Sequence, residues 1–163
     1  MTKLHYKKIQ YLLVVLTALA LFFSLYSQYV LGLEPCPLCI TQRICVFILL
    51  GFMSLSLGTL KKAHVISLLQ VFIATAGLFF ALRQLWLQSL PPGTAPACMP
   101  GLNILMHYFP WQDVAHALLW GSGDCAEVSG QWLGLSLPAW SALYFFVMIL
   151  GSIYLFVRTQ TVD

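Results

Sequence analysis

Four long stretches of apolar residues dominate the chain, and charged residues fall almost only between them. The stretches cover residues 11–31, 43–60, 65–84 and 138–157. A helix needs roughly 17–25 apolar residues to cross a bilayer, so all four qualify, with the second and third at the short end. Four spans with short links between most of them predict an all-α membrane protein, folded as a four-helix transmembrane bundle in one domain over residues 1–163.

The segments between the stretches divide into two sets. If all four stretches cross, the short segment 32–42 and the long segment 85–137 lie on the side opposite both termini. Prolines keep the first third of the long segment extended, because each proline disfavours helix at the residue before it. These prolines are Pro91, Pro92, Pro96 and Pro100.

Further along the same segment, Pro110 separates the stretch 102–109 from the stretch 111–120, and the pattern predicts a short helix over the second stretch. In this helix, four apolar positions share one face. They are Trp111, Val114, Ala115 and Leu118. Because all five tryptophans lie between residues 86 and 140, and tryptophan favours the headgroup level, we interpret 111–120 as a short interfacial helix. The alternative is a small helix packed on the rest of the loop.

The composition supports a bilayer rather than water as the solvent. Hydrophobic residues make up 60% of the 163 positions and charged residues 8%, whereas soluble domains carry about 25% charged residues. The formal charge of +3 is small, and it predicts no nucleic-acid partner.

Basic residues set the expected orientation. Only Arg43 and Arg83 accompany the segments 32–42 and 85–137, and the other six fall on the opposite side. These six are Lys3, Lys7, Lys8, Lys61, Lys62 and Arg158. The positive-inside rule then places both termini in the cytoplasm. A cleaved signal peptide is the rival interpretation of residues 1–31, but the apolar run is too long and no small-residue cleavage site follows it.

Four of the five cysteines fall in the two outward segments, where the compartment permits disulfides. These four are Cys36, Cys39, Cys98 and Cys125. Cys45 falls inside the second span, where we expect it to pack as a small apolar residue.

The Cys36-Pro37-Leu38-Cys39 motif opens the second span, and Pro37 suits a first helical turn. The helix dipole is expected to lower the pKa of both thiols. Arg43 stands one turn after Cys39 on the same face, where its charge favours the Cys39 thiolate. Two alternatives remain: the motif is half of a zinc site, or Arg43 only extends towards the membrane surface.

The second pair has a different setting. Pro96 and Pro100 hold Cys98 extended and exposed, while Cys125 sits in a glycine-rich stretch. We expect the acids Asp124 and Glu127 to favour the thiol over the thiolate at Cys125. The alternative is a plain structural staple between Cys98 and Cys125. No other catalytic or metal-ligating pattern is evident, and the sequence predicts no metal.

At these residues the chain resembles the DsbB family of disulfide bond formation proteins. The likeness rests on the four spans, on Cys36, Cys39 and Arg43, and on several loop motifs. These motifs are Leu87-Gln88, Pro96-Ala97-Cys98, the run 121–126 and the run 134–140.

The resemblance implies an enzyme, a quinone-dependent thiol oxidase of the bacterial inner membrane whose redox cysteines face the periplasm. It implies that a reduced DsbA-like partner attacks the Cys98–Cys125 disulfide at Cys98. Cys125 then attacks Cys36 of the Cys36–Cys39 disulfide, Cys39 faces the quinone (ubiquinone or menaquinone), and Arg43 helps to bind it. Some relatives carry a histidine where this chain has Arg83 and Gln84, so no histidine role is transferred.

Two other classes of function compete with this interpretation. A disulfide reducer that sends electrons outward would need cysteines or a partner on the cytoplasmic side, and the sequence has no cysteine there. A metal-binding or scaffold membrane protein with structural disulfides is the non-enzymatic alternative.

Overall fold

Six helices and one short hairpin make up the computed structural model, which describes residues 3–58, 63–91, 94, 96–98, 102–126 and 131–160. The helices are α1 (Lys3–Tyr29), α2 (Pro37–Gly58), α3 (Ala63–Gln88), α4 (Leu102–Tyr108), α5 (Trp111–Trp120) and α6 (Leu137–Gln160). Four of them, α1, α2, α3 and α6, are long and apolar enough to cross a membrane. The predicted all-α, four-span fold is confirmed.

The helix ends differ from the predicted spans at the end of the bundle that carries the Cys-x-x-Cys motif, which we call the thiol end. Helix α2 begins at Pro37, ahead of residue 43, so the motif forms its first turn, as the position of Pro37 indicated. Helix α3 continues past residue 84 to Gln88. At the opposite end, the basic link with Lys61 and Lys62 lies outside the described residues.

Helix α3 packs along α6 and α2, and α1 packs mainly on α2. The core includes Leu49 and Met53 of α2 and Phe145 of α6, all fully buried. Gly77 lets α3 and α6 approach closely, because a Cβ atom there would overlap the ring of Phe145. Small residues at such crossings favour association of helices in lipid.

Polar side chains inside the bundle pair between helices. Tyr6 of α1 is hydrogen-bonded to Ser56 of α2, and the Tyr144 hydroxyl of α6 donates to Thr17 Oγ1 of α1 at 3.0 Å. A polar group in hydrocarbon costs several kcal/mol when it is unpaired, so these bonds help to fix which helix faces meet.

The predicted break at Pro110 is present, with α4 before it and α5 after it. Val114 and Ala117 of α5 are buried against the bundle, whereas Trp111 of the predicted apolar face is 80% exposed. Thr41 Oγ1 of α2 donates to the Leu118 carbonyl at 2.9 Å, which satisfies a helix-end acceptor where α5 packs on α2. The interfacial position of α5 stays a prediction.

A two-stranded hairpin that the sequence pattern did not predict precedes α6. Strand β1 (Gln131–Trp132) pairs with β2 (Leu135–Ser136) through a two-residue turn at Leu133 and Gly134, both with positive φ. Positive φ at both turn residues matches the right-handed twist of the strands. Trp132 meets Phe23 of α1 edge to face, with ring centroids 5.0 Å apart. The hairpin therefore covers one side of the thiol end.

Candidate functional site

Cys36 and Cys39 lie at the first turn of α2 with their sulfur atoms 3.0 Å apart, and no disulfide joins them in this structure. The backbone N–H of Cys39 also points at Cys36 Sγ, at 3.4 Å. The Cys36 thiol is also within hydrogen-bonding reach of the sulfur of Cys125, so its single S–H proton lies between two neighbouring sulfurs. Cys36 is thus in contact with two other sulfurs, and it is the member common to two possible disulfides.

Cys125 reaches this position from a short 3-10 turn, Gly123–Cys125, that lies against the thiol end. Its side chain is fully buried and packs with Leu38 and Leu87. The backbone N–H groups of Leu38 and Ser122 donate to its sulfur. The Leu38 N–H is one of the groups at the start of α2 that have no carbonyl partner within the helix, and such groups favour negative charge.

These contacts correct two expectations about acidity. Hydrogen bonds with Cys125 and with Cys39 hold the pKa of Cys36 well above its usual range, because Cys36 is the donor in the cluster. The bond from Cys36 lowers the pKa of Cys125 to about 7, and the N–H groups of Leu38 and Ser122 contribute. The expectation that the acids favour the thiol at Cys125 is therefore wrong, because these hydrogen bonds outweigh any effect of Asp124, whose carboxylate accepts from Ser122 Oγ at 3.2 Å. Glu127 lies outside the described residues.

The acidity of Cys125 yields a pH prediction for the fully reduced protein. The thiolate form of Cys125 should predominate above about pH 7 and decline tenfold per unit below it. Replacing Cys36 with alanine removes the donor, so the titration should move to higher pH. The ultraviolet absorbance of the thiolate is titrated against pH in proteins with and without Cys36. Subtracting the titration of the matching Cys125→Ala protein gives the midpoint for Cys125 in each. Identical midpoints with and without Cys36 would contradict the hydrogen bond.

Cys98 lies on the segment 96–98, where its side chain is exposed as the flanking prolines predicted. The segment is held beside the Cys125 turn, because Gly123 N–H donates to the Ala97 carbonyl at 3.2 Å. A Cβ atom at Gly123 would overlap the Pro96 carbonyl oxygen and lie 3.0 Å from Cys98 Sγ. Glycine at 123 therefore permits the close approach of the two loop segments. Met99 and Pro100 lie outside the described residues.

Arg43 is half-buried on α2 and bonds to two polar residues of α1. Its Nε donates to Ser24 Oγ at 3.1 Å, its Nη2 to the Ser24 carbonyl at 3.4 Å, and its Nη1 to Gln28 Oε1. Within the part of the chain that the structure describes, these partners are all uncharged. Three hydrogen bonds therefore fix the direction of the guanidinium without pairing it with a carboxylate.

Cys39 and Arg43 both line a cleft of about 690 Å³ between α1, α2, α6, the end of α3 and the hairpin. Most of its walls are apolar, including Leu19, Phe23 and Tyr144. The polar atoms gather at the thiol end, where Gln42 and Gln84 join Arg43 and Cys39. A mostly apolar cleft of roughly 300–1,000 Å³ with a few convergent polar groups is typical of a small-molecule site.

The structure brings Cys36, Cys39, Cys125 and Arg43 to one end of the bundle and leaves the Cys98 side chain at its surface. Cys45 is buried among the core residues of α2, apart from this cluster. Sequence reasoning missed four polar residues of the site. They are Ser24, Gln28, Gln42 and Gln84. Their signal was available, since polar residues inside apolar spans commonly face a partner or a cavity.

The sequence of this chain is similar to those of known proteins over most of its length. The family model DsbB, described as disulfide bond formation protein DsbB, matches residues 6–155. A disulfide bond formation protein B from Stutzerimonas stutzeri (strain A1501) is 40% identical over 145 residues, covering 87% of this chain and 89% of the relative. One of the same name from Acinetobacter baylyi is 36% identical over 167 residues, covering 96% of this chain and 94% of the relative.

Proposed function

Because the chain belongs to the DsbB family of disulfide bond formation proteins and is therefore an oxidoreductase, we propose that it reoxidises a DsbA-like dithiol protein and reduces a membrane quinone. The observation that carries the proposal is the position of Cys36. It contacts the sulfur of Cys125 on one side and that of Cys39 on the other, and Cys39 lines an apolar cleft.

The proposed route begins at the exposed end. The thiolate of the reduced partner attacks Cys98 of the Cys98–Cys125 disulfide, which forms a mixed disulfide and releases Cys125 as a thiolate. Cys125 then attacks Cys36 of the Cys36–Cys39 disulfide, and Cys39 leaves with the electron pair. The partner's second thiol resolves the mixed disulfide at Cys98, and the freed Cys98 thiolate then attacks Cys125. This attack restores the Cys98–Cys125 disulfide and releases Cys36, so that Cys36 and Cys39 are both reduced. Two electrons thus pass from the partner to the Cys36–Cys39 pair, and a quinone that takes them up with two protons becomes a quinol while the Cys36–Cys39 disulfide forms again.

The cleft supports a quinone as the acceptor. A quinone head is planar and largely apolar, with two carbonyl oxygens that gain negative charge on reduction. Arg43 has no carboxylate partner in the described part of the chain, so its charge is available to such an oxygen. The exposed apolar side chains of Leu19 and Phe22 at the margin of the cleft suit an isoprenoid tail in lipid.

We place the protein in the bacterial inner membrane with both termini in the cytoplasm and the thiol end in the periplasm. The basic residues at the ends of the spans support this orientation, and disulfide exchange with a periplasmic protein requires it. Reporter fusions at each terminus test it, and a terminus found outside would contradict the orientation.

Purified protein in detergent tests the function directly. With a reduced DsbA-like protein and a short-chain quinone, it should oxidise one partner dithiol for each quinone reduced. Ubiquinone and menaquinone analogues, supplied separately, identify the preferred acceptor. Partner oxidation that proceeds equally without any quinone would contradict the proposal.

Arg43 gives a prediction for the acceptor side. Arg43→His removes a charge-assisted hydrogen bond, so the KM for quinone should rise about 10- to 100-fold while the disulfides stay intact. Arg83→His is the matched control, because Arg83 also lies near the thiol end but rests on the Trp86 ring, outside the cleft. Steady-state kinetics against quinone concentration measure both. An unchanged KM in Arg43→His would remove Arg43 from the acceptor site.

A further inference from the structure

Gln84 of α3 is the polar group closest to both sulfurs of the Cys-x-x-Cys pair, and nothing in the route above uses it. Its amide Nε2 lies 3.3 Å from Cys36 Sγ and 3.2 Å from Cys39 Sγ. We propose that Gln84 is a further catalytic residue, whose amide N–H stabilises the thiolate that Cys39 becomes when the Cys36–Cys39 bond breaks. This inference rests on the proposed function.

A second glutamine fixes the orientation of the Gln84 amide. Gln42 Nε2 donates to Gln84 Oε1 at 2.8 Å. With its oxygen held by Gln42, the amide presents its NH₂ group to the sulfurs at 3.2 and 3.3 Å, closer than the 3.5 Å between Oε1 and the Cys39 thiol. The flipped amide would set two NH₂ groups against each other. Gln42 thus orients the donor, and Gln84 delivers it to the sulfur atoms.

Burial makes this pair of side chains effective. Gln84 is 4% exposed and Gln42 is 5% exposed. In a site that excludes water, a fixed N–H group aimed at a developing negative charge stabilises it more than it would in water, and it needs no reorganisation during the reaction. Because the donor is a neutral amide, it stabilises the charge without transferring a proton to the sulfur.

The electron balance of the step shows when this donor acts. The Cys125 thiolate forms a bond to Cys36 Sγ, the Cys36–Cys39 bond breaks, and the electron pair of that bond stays on Cys39 Sγ. No proton is required. Cys36 is then half of a neutral disulfide with Cys125, so the negative charge available to Gln84 Nε2 lies on Cys39. That charge faces the cleft, where the acceptor takes up the electrons.

Alkylation of Cys39 tests the donor without any acceptor present. In full-length protein whose other four cysteines are alanine, the rate of reaction with iodoacetamide reports the thiolate fraction of Cys39. Gln84→Leu keeps the size of the side chain but removes the N–H, so alkylation at neutral pH should slow about 10- to 100-fold. At high pH, where Cys39 ionises fully in both proteins, the two rates should converge.

Gln70→Leu is the matched control, since it makes the same change at a buried glutamine on the same helix. Gln70 is fully buried and lies fourteen residues before Gln84, about 21 Å away along the helix. Its alkylation profile should follow that of the parent. Gln84→Leu and parent profiles that coincide at every pH would overturn the proposal. The result is independent of the acceptor, whereas failure of the proposed function would appear as missing quinone reduction in the parent protein.

Discussion

Replacing Cys39 with serine lowers quinone-dependent turnover about 1,000-fold or more, the largest effect expected from a single substitution in this protein. Serine cannot form a disulfide with Cys36. The Cys125 thiolate then has no disulfide to attack at Cys36, and no electron pair can be released to Cys39. Cys39 is also the cysteine that lines the cleft, which makes it the expected electron donor to the acceptor. The rate of quinone reduction with reduced partner measures the loss.

Cys45→Ser is the matched control for this substitution. Cys45 lies on the same helix and is buried at 8% exposure, but it packs in the helical core instead of in the cysteine cluster. Its turnover should stay within about twofold of the parent, the range expected where no reacting group is touched. Parent-level turnover in Cys39→Ser would mean that electrons leave by another route.

Replacing Cys125 with alanine should stop transfer between the two cysteine pairs, with a loss of partner oxidation of about 1,000-fold. The Cys98–Cys125 disulfide can no longer form, and Cys36 is buried at 9% exposure, where a folded partner does not reach it. Alkylation after an acid quench should then find Cys36–Cys39 oxidised even when reduced partner is in excess. Partner oxidation at the parent rate would exclude Cys125 from the route.

A small dithiol distinguishes a loss of transfer between the two cysteine pairs from a general disruption of the protein. It can reach the Cys36–Cys39 disulfide without the loop pair, so Cys125→Ala should still reduce quinone when dithiothreitol supplies the electrons. Loss of both activities would instead indicate that the alanine disrupts the thiol end, where Cys125 packs with Leu38 and Leu87.

Much of the fold follows from the sequence because lipid imposes a simple rule on length. The runs between charged residues were sufficient to find α1, α2, α3 and α6, and Pro110 was sufficient to separate α4 from α5. The face of α5 was not predictable in the same way. Thr41, seventy-seven residues before Leu118, anchors the end of that helix, and local periodicity carries no information on such a contact.

The site shows the same division. Spacing and topology singled out the four cysteines and Arg43, but not their acidities, which depend on contacts between distant segments. The low pKa of Cys125 requires the Cys36 thiol and the N–H of Leu38, which only the folded chain brings to it. Gln84 was visible as a polar residue in an apolar span, yet its position beside both sulfurs is a consequence of how α3 packs against α2.

Direct transfer from Cys125 to Cys36 is the central step of the proposed route, and one trapping experiment tests it. A reduced partner that keeps only its attacking cysteine is added to the oxidised protein without quinone, and the mixture is acid-quenched, alkylated and mapped by mass spectrometry. We predict a partner–Cys98 disulfide, a Cys36–Cys125 disulfide and an alkylated Cys39 in the same molecule. A partner–Cys98 adduct in which Cys36–Cys39 stays intact and Cys125 is alkylated would contradict the account.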